Sequence, residues 1–269
     1  MAKFKREKVG RCSFVYRGKC GDVAGFVEKA MNPDRRLTAG RGAPGVFEFD
    51  GKTYVIRQYL HGGWLRGITK GAFLGEKRAA DELNITAYLE ENGFPVIEAP
   101  GYIARRGIFA NDLFFVSVFA NDARDMVEYF RSSGKYKRFR MARKLATYFC
   151  ILGELGVYHP DLHLKNVLVD PAGRCIFLDF DKAYRKQITL DDYEKMFWRL
   201  DRYVRKYSSL FGTPVDDKER LLFLRTFERL CRQKIISRMQ EDREKKERSA
   251  RLGWLIDRML YSRKRKANG

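Results

Sequence analysis

The sequence predicts an α+β fold with two lobes, a small antiparallel-sheet lobe over residues 1–120 and a mainly helical lobe over residues 121–269. Short apolar stretches bounded by glycine-rich turns fill the first third of the chain, and this pattern favours strands. From about residue 122 onward helical patterns dominate, with two short strand-like runs at residues 167–169 and 175–178. A cleft between two such lobes is a natural place for a ligand.

The clearest local element of the first lobe is a β-hairpin over residues 46–57. Its two strands are separated by Asp50-Gly51, a pair that is typical of a tight hairpin turn. A helix is then predicted over residues 76–92, where Asn92-Gly93 supplies the stop. Residues 113–120 are predicted to form a buried strand, and its end would be the hinge between the lobes.

Composition and charge indicate a folded protein with a strongly basic surface. Apolar residues make up 45% of the 269 residues, and 54 Lys and Arg against 34 Asp and Glu give a formal charge of +20. Such a surface attracts polyanions, which include nucleic acid, anionic lipid headgroups and phosphorylated glycans. The N-terminus lacks the apolar run of a secretory signal, so we expect a cytosolic protein. The five cysteines fit neither a zinc site nor a redox pair, so we expect reduced and mostly buried thiols.

The candidate catalytic and metal-binding residues lie in the segment 159–166 and at Asp179, downstream of it. Phosphoryl transfer needs a carboxylate to orient or deprotonate the attacking hydroxyl, and Asp161 can supply it. It also needs oxygen ligands for Mg²⁺, which Asn166 and Asp179 can provide. Lys165 can balance the negative charge on the transferred group. The sequence therefore predicts a phosphotransferase site, whereas the alternative is a hairpin whose polar residues only cap turns.

The spacing of these residues resembles the H-x-D-L-x-x-x-N pattern of the protein-kinase fold, in which a metal-binding aspartate follows in a D-F-x context. His159 begins the pattern, and Asp179-Phe180-Asp181 provides the second part. The resemblance implies a bilobal protein-kinase-like fold that uses ATP and Mg²⁺. The H-x-D-L-H variant of this motif, in which His163 is the second histidine, also resembles the small-molecule kinases of this fold.

The upstream residues fall where such a fold would hold a nucleotide. Arg57 stands at the place of the lysine in the V-A-I-K pattern, and Glu82 on the following helix is its candidate partner, with Glu76 as the alternative. Phe119 is expected beside the adenine. A glycine-rich loop precedes the hairpin and can approach phosphates closely because no Cβ intervenes; its residues are Gly40, Arg41 and Gly42.

The sequence after Asp179 indicates the kind of acceptor. Protein kinases carry a long segment and an A-P-E motif there, whereas this chain enters a predicted helix near Thr189 and has no A-P-E. A small molecule or a glycolipid is therefore favoured over a protein as acceptor. Lys182 and Arg185 lie beside the predicted metal site, and together with His163 they are candidates for binding an acidic acceptor.

Taken together, the glycine loop, Arg57, Glu82, the 159–166 segment and residues 179–182 resemble the lipopolysaccharide inner-core kinases over roughly residues 38–190. The resemblance implies transfer from ATP to a sugar hydroxyl of 3-deoxy-D-manno-octulosonic acid (Kdo) on a Kdo–lipid A type glycolipid. It also implies a peripheral position on the inner face of the inner membrane, where the anionic leaflet would attract a basic protein.

Two other functions remain open at this point. A heptose or another small molecule is the alternative acceptor on the same fold. A basic nucleic-acid-binding protein on a degenerate kinase fold is the second alternative, although the sequence contains no recognisable nucleic-acid motif. The set formed by Asp161, Asn166 and Asp179 favours an enzyme, because a binding module does not need it, and no nucleic-acid partner is expected.

Overall fold

The computed structural model describes residues 3–38, 43–60, 72–108, 110–211 and 215–241. The N-terminal part forms one antiparallel sheet of eight strands with the order β1-β2-β7-β8-β5-β4-β3, in which β6 also pairs with β8. The strands are β1 (Lys5–Val9), β2 (Cys12–Tyr16), β3 (Arg35–Arg36), β4 (Gly45–Phe49), β5 (Lys52–Gln58), β6 (Ala72–Phe73), β7 (Gly101–Arg106) and β8 (Asn111–Val118).

The predicted hairpin is confirmed as β4 and β5, which pair with Phe49 opposite Lys52. Asp50 and Gly51 have φ angles of 47° and 72°, so both central residues of the turn are left-handed. This geometry matches the right-handed twist of the flanking strands, and an Asp-Gly pair adopts it readily. The turn fixes the register of β4 against β5, and on its other edge β5 pairs with β8, where Arg57 lies opposite Phe115.

Helices make up most of the C-terminal part, and one also covers each side of the sheet region. They are α1 (Val23–Met31), α2 (Lys77–Glu91), α3 (Met126–Ser132), α4 (Lys135–Glu154), α5 (Leu190–Phe211) and α6 (Asp217–Cys231). The predicted helix over 76–92 is confirmed as α2, and the chain leaves it through Gly93 at a φ of 71°. The α+β, kinase-like fold class predicted from the sequence is therefore confirmed.

Two small sheets hold the loops of the helical part. One joins β9 (Arg124–Asp125), β11 (Val167–Val169) and β12 (Cys175–Phe177), and the other joins β10 (Val157–Tyr158) and β13 (Tyr184–Arg185). Because residues 124–125 form β9, helix α3 begins at Met126 rather than near residue 122. The Asp125 side chain caps it by accepting a hydrogen bond from the Glu128 backbone at 2.9 Å.

Helices α4 and α6 pack together in the largest core, which contains a cluster of Phe149, Phe197, Phe223 and Phe227. Cys150 of α4 and Cys231 of α6 are joined by a disulfide, with their Cα atoms 5.9 Å apart. The expectation of reduced thiols is wrong for these two residues, because helix packing brings together cysteines that lie 81 positions apart. Among the described residues, no helix is long and apolar enough to cross a membrane.

Glu219 fastens α6 to α4, and its removal should destabilise the protein. The side chain is only 1% exposed, accepts a hydrogen bond from Arg138 of α4 at 2.7 Å, and closes a capping box with Asp216. Because Glu219→Ala leaves the Arg138 charge uncompensated, we expect a loss of about 3 kcal/mol in the free energy of unfolding, measured in urea. Asp217→Ala is the matched control, since that side chain is 97% exposed. Equal losses in both variants would contradict this account.

Candidate active site

The loop that carries Asp161 runs from β10 to β11 and ends in a 3₁₀ turn, Leu164–Asn166. The side-chain amide nitrogen of Asn166, Nδ2, donates a hydrogen bond to the backbone carbonyl of Asp161 at 3.2 Å. This bond leaves the amide oxygen of Asn166 as the atom available to a ligand. The backbone carbonyl of Asn166 accepts from the Leu178 amide at 2.8 Å, so the segment that precedes Asp179 lies against the loop.

Asp179 follows β12 in an unusual conformation, with a φ of 61°. Non-glycine residues adopt this left-handed region uncommonly, and such residues concentrate at functional sites. Its Oδ1 atom is buried and accepts no hydrogen bond, although the Nη2 atom of Arg57 lies 3.3 Å away. The charges of Asp179 and Asp161 both act on His159 and His163, so the two carboxylates flank one site.

Arg57 and Glu82 form an ion pair that links β5 to α2. The Nη2 atom of Arg57 lies 2.7 Å and 2.9 Å from the two carboxylate oxygens of Glu82, which is 1% exposed. The Tyr59 hydroxyl donates to the same carboxylate. Burial raises the pKa of Glu82, and the positive charge of Arg57 opposes that rise. The structure thus pairs Arg57 with Glu82 and brings the same guanidinium to Asp179.

Glu76, the alternative partner of Arg57, lies elsewhere. Its carboxylate accepts hydrogen bonds from Arg6 of β1 at 2.6 Å and from the Tyr102 hydroxyl at 2.9 Å. Glu76 directly precedes α2 and Glu82 lies within it, so both are candidates from the sequence, and the structure pairs Arg57 with the preferred one, Glu82. Glu76 therefore belongs to the contact of α2 with strands β1 and β7.

A second ion pair joins α2 to the segment after Asp179. The Nε and Nη2 atoms of Arg78 each donate to one carboxylate oxygen of Asp181, and the Nη1 atom donates to the Leu60 carbonyl at 3.2 Å. The guanidinium also lies 5.2 Å from the ring centre of Tyr59. Two arginines, of which the sequence predicted one, thus tie helix α2 to residues 179–182, which we call the metal-site segment after its predicted role.

Asp161 itself binds an arginine that the sequence did not single out. Arg199 of α5 donates from Nε to the Oδ1 atom of Asp161 at 2.8 Å and contacts the same oxygen through Nη2. Arg199 also lies 4.9 Å from the ring centre of Tyr203, and His163 stacks on that ring at 3.9 Å. Helix α5 therefore forms one wall of the site, and no spacing pattern in the sequence connects it to the loop 38 residues earlier.

Two residues predicted to be catalytic lie away from the open part of the site. His159 is fully buried and packs 4.9 Å from the Phe180 ring centre, and burial lowers its pKa to about 4. Because the side chain is buried, a role in holding the loop in place is favoured, and direct contact with the substrate is not. Lys165 lies 3.9 Å from a carboxylate oxygen of Asp125 and 5.2 Å from the Tyr207 ring centre.

The candidates for acceptor binding lie on two sides of the metal-site segment. Lys182 is exposed directly after Asp181. Arg185 of β13 stacks on Tyr88 of α2 at 3.9 Å. Burial lowers the pKa of His163 to about 4, so this side chain is neutral at neutral pH. Lys182 and His163 remain candidates for the acceptor pocket, while Arg185 is engaged with α2.

The nucleotide-side candidates are partly described. Phe119 leads out of β8, where its backbone amide donates to the Thr53 carbonyl at 2.8 Å and its ring lies 5.6 Å from the Arg35 guanidinium. Asp122, at a φ of 56°, then turns the chain towards α3. The predicted phosphate loop at Gly40, Arg41 and Gly42 lies outside the described residues, but the strands on either side of it, β3 and β4, pair directly.

The polar atoms of the site fit a divalent cation that also binds phosphate. Within the ranges that the structure describes, no three acidic, histidine or cysteine side chains gather as a complete metal cage. Asp179 offers a buried oxygen with no hydrogen-bond donor, and Asn166 offers its amide oxygen. Mg²⁺ in nucleotide sites takes one or two protein ligands and completes its shell with phosphate and water oxygens. The residues present fit that arrangement.

The two lobes, the clamp formed by Arg57 and Glu82, and the loop around Asp161 define a phosphotransferase of the protein-kinase-like fold. Comparison with known proteins narrows this class. Residues 37–223 match the lipopolysaccharide kinase (Kdo/WaaP) family, and since this is well over half of the chain, the protein belongs to that family. It is accordingly an ATP-dependent kinase that phosphorylates a hydroxyl group of a sugar, as the sequence predicted.

Curated relatives carry one common name, 3-deoxy-D-manno-octulosonic acid kinase. The protein of Vibrio parahaemolyticus is 25% identical over 190 residues, which cover 68% of this chain and 76% of that protein. Proteins from two strains of Vibrio vulnificus are 25% identical over 180 residues, which cover 63% of this chain and 75% of theirs. The predicted membership of the inner-core kinase family is thus confirmed.

Proposed function

We propose that this protein transfers the γ-phosphate of ATP to a hydroxyl of Kdo on a Kdo–lipid A type glycolipid. The observation that carries the proposal is the position of the Arg57 guanidinium, which contacts Glu82 of α2 and lies 3.3 Å from Asp179. One cation thus connects the nucleotide-binding sheet with the metal-site segment, as phosphoryl transfer between two lobes requires. The name shared by the relatives supports Kdo as the acceptor sugar.

The chemistry assigns a role to each group. Asp161 accepts the proton of the sugar hydroxyl while the hydroxyl oxygen bonds to the γ-phosphorus and the bond to the β-phosphate oxygen breaks. Arg57 holds phosphate oxygens, and Glu82 keeps its guanidinium in place. Asn166 and Asp179 would hold Mg²⁺, which neutralises phosphate charge when it is bound. Gly40, Arg41 and Gly42 would cover the phosphates, with Phe119 near the adenine.

The remaining candidates are assigned to positioning and to the acceptor. His159, fully buried against Phe180, holds the catalytic loop to the segment of Asp179. Lys165 balances charge from the rim of the site, where it also contacts Asp125. Lys182 and His163 face the acceptor, and Arg185 supports that face from its position on Tyr88. The formal charge of +20 supports a peripheral location at the cytoplasmic face of the anionic inner membrane.

The test of this function is transfer from labelled ATP to a panel of acceptors. Kdo–lipid A, heptosylated lipid A precursors and free sugars are incubated with the protein in the presence of Mg²⁺. We expect label on Kdo–lipid A. Label on the heptosylated acceptors alone would instead identify a heptose kinase of the same fold, and label on none of them together with tight RNA binding would favour a nucleic-acid-binding protein.

The ion pair of Arg78 and Asp181 should support ATP use without touching the reacting atoms. Because it ties α2 to the segment of Asp179, Arg78→Ala should lower kcat/KM for ATP by about tenfold, the effect of losing one charge-assisted contact. The exchange variant Arg78→Asp with Asp181→Arg should recover part of this loss. Lys77→Ala is the matched control, since Lys77 pairs with Asp81 on the exposed side of the same helix. If kcat/KM for ATP in the exchange variant is no higher than in Arg78→Asp and Asp181→Arg alone, the proposed role of the pair is contradicted.

A further inference from the structure

One corner of the site joins a carboxylate, a guanidinium and two aromatic rings. Two of the three nitrogens of the Arg199 guanidinium, Nε and Nη2, donate to Oδ1 of Asp161. The second carboxylate oxygen, Oδ2, is therefore left to accept the proton of a hydroxyl. Within the described part of the chain, no group accepts a hydrogen bond from the Nη1 atom of Arg199, so this atom retains its donors.

This ion pair is partly open to solvent and does not form a sealed structural contact. The side chains of Arg199 and Asp161 are 24% and 32% exposed. Tyr203 packs against the guanidinium and so fixes its plane from one side. Among the residues that the structure describes, the Nη1 edge of this planar cation therefore stays unpaired next to the carboxylate that would accept the hydroxyl proton.

The positive charge at this corner belongs to Arg199. His163 stacks on the Tyr203 ring, and an imidazole is mostly uncharged at neutral pH. Lys165 is directed to Asp125 and the Tyr207 ring. Arg57 is held between Glu82 and Asp179 on the nucleotide side. An anionic group on the acceptor next to Asp161 would therefore meet the Arg199 guanidinium.

We infer that Arg199 recognises the carboxylate of an acidic sugar and thereby orients its hydroxyl towards Asp161. The inference rests on the proposed function, since an octulosonic acid carries a carboxylate close to its hydroxyls. A guanidinium matches a carboxylate in shape and charge better than an ammonium does. A neutral sugar would leave the donors of Arg199 unpaired, and unpaired polar groups disfavour the wrong ligand. Arg199 is thus a specificity-determining residue that contacts both the base and the acceptor.

The experiment compares two acceptors that differ by one charge, Kdo–lipid A and its Kdo methyl ester. Wild type should prefer the acid by about tenfold or more in kcat/KM, the effect of one charge-assisted contact. Arg199→Gln should lose that preference while the KM for ATP stays unchanged, and Arg199→Lys should keep part of it. Arg205→Gln should behave as wild type, since this arginine forms the same kind of pair with Asp201 elsewhere on α5.

A third acceptor, Kdo–lipid A without its lipid A phosphates, separates the two anionic groups of the glycolipid. A preference for the acid that persists in Arg199→Gln would overturn the inference and leave the proposed function intact. The same holds if Arg199→Gln abolishes discrimination against the dephosphorylated acceptor but not against the ester, because the recognised group would then be a phosphate. Absence of transfer by wild type to every Kdo acceptor would overturn the proposed function and the inference with it.

Discussion

Asp161→Ala is expected to lower the rate of phosphoryl transfer by about a thousandfold, the middle of the range for loss of a general base. The carboxylate can accept the hydroxyl proton through Oδ2 because Arg199 occupies only Oδ1. ATP binding should change little, since the proposed phosphate ligands are Arg57 and the metal held by Asn166 and Asp179. Single-turnover transfer and direct titration with ATP measure the two quantities separately.

Two further variants make this prediction specific. Asp161→Asn keeps the size of the side chain and should lose transfer nearly as completely, which separates the loss of the base from the loss of packing. Asp217→Ala changes an exposed aspartate at the start of α6 and should leave transfer unaltered. Undiminished turnover in Asp161→Ala would refute the assignment of the base.

Asp179→Ala should abolish the part of ATP binding that depends on Mg²⁺. The buried Oδ1 atom of Asp179 accepts no hydrogen bond and has only the Arg57 guanidinium near it, at 3.3 Å among the described residues, so it can take a metal ion as ligand. We expect ATP affinity in Mg²⁺ to fall by on the order of a hundredfold, because loss of an outer-shell partner alone costs about ten- to hundredfold in metal affinity. Calorimetric titration with ATP, in Mg²⁺ and in EDTA, gives the metal-dependent difference directly.

The variant and the wild type should bind ATP alike in EDTA, which serves as the internal control. Asn166→Ala should show a weaker form of the same defect, because an amide oxygen binds a hard cation less strongly than a carboxylate. Affinity in Mg²⁺ that equals the wild type in Asp179→Ala would move the metal site to other residues.

The features that could be predicted from the sequence are those fixed by short-range patterns. The hairpin follows from Asp50-Gly51, because that pair favours left-handed turn residues. Helix α2 follows from its apolar spacing and from Gly93. The loop around Asp161 and the downstream Asp179 could be predicted because their spacing resembles the protein-kinase pattern. Each of these signals lies within one short stretch of the sequence.

The features that could not be predicted depend on residues far apart in the chain. Arg199 reaches Asp161 across 38 positions, and Arg78 reaches Asp181 across 103. Cys150 and Cys231 meet only because α4 and α6 pack side by side. Charged and sulfur side chains occur at many positions, so their partners follow from tertiary packing and not from local pattern. Helix α3 also begins later than the sequence pattern from about residue 122 indicates, because residues 124–125 form strand β9 and pair with β11.

The most direct test of the account is a structure of the protein bound to Mg²⁺ and a non-hydrolysable ATP analogue. The account predicts the metal on the oxygens of Asn166 and Asp179, the phosphates against Arg57, and the terminal phosphate facing Asp161. A nucleotide bound outside this cleft, or a metal held by other side chains, would contradict it.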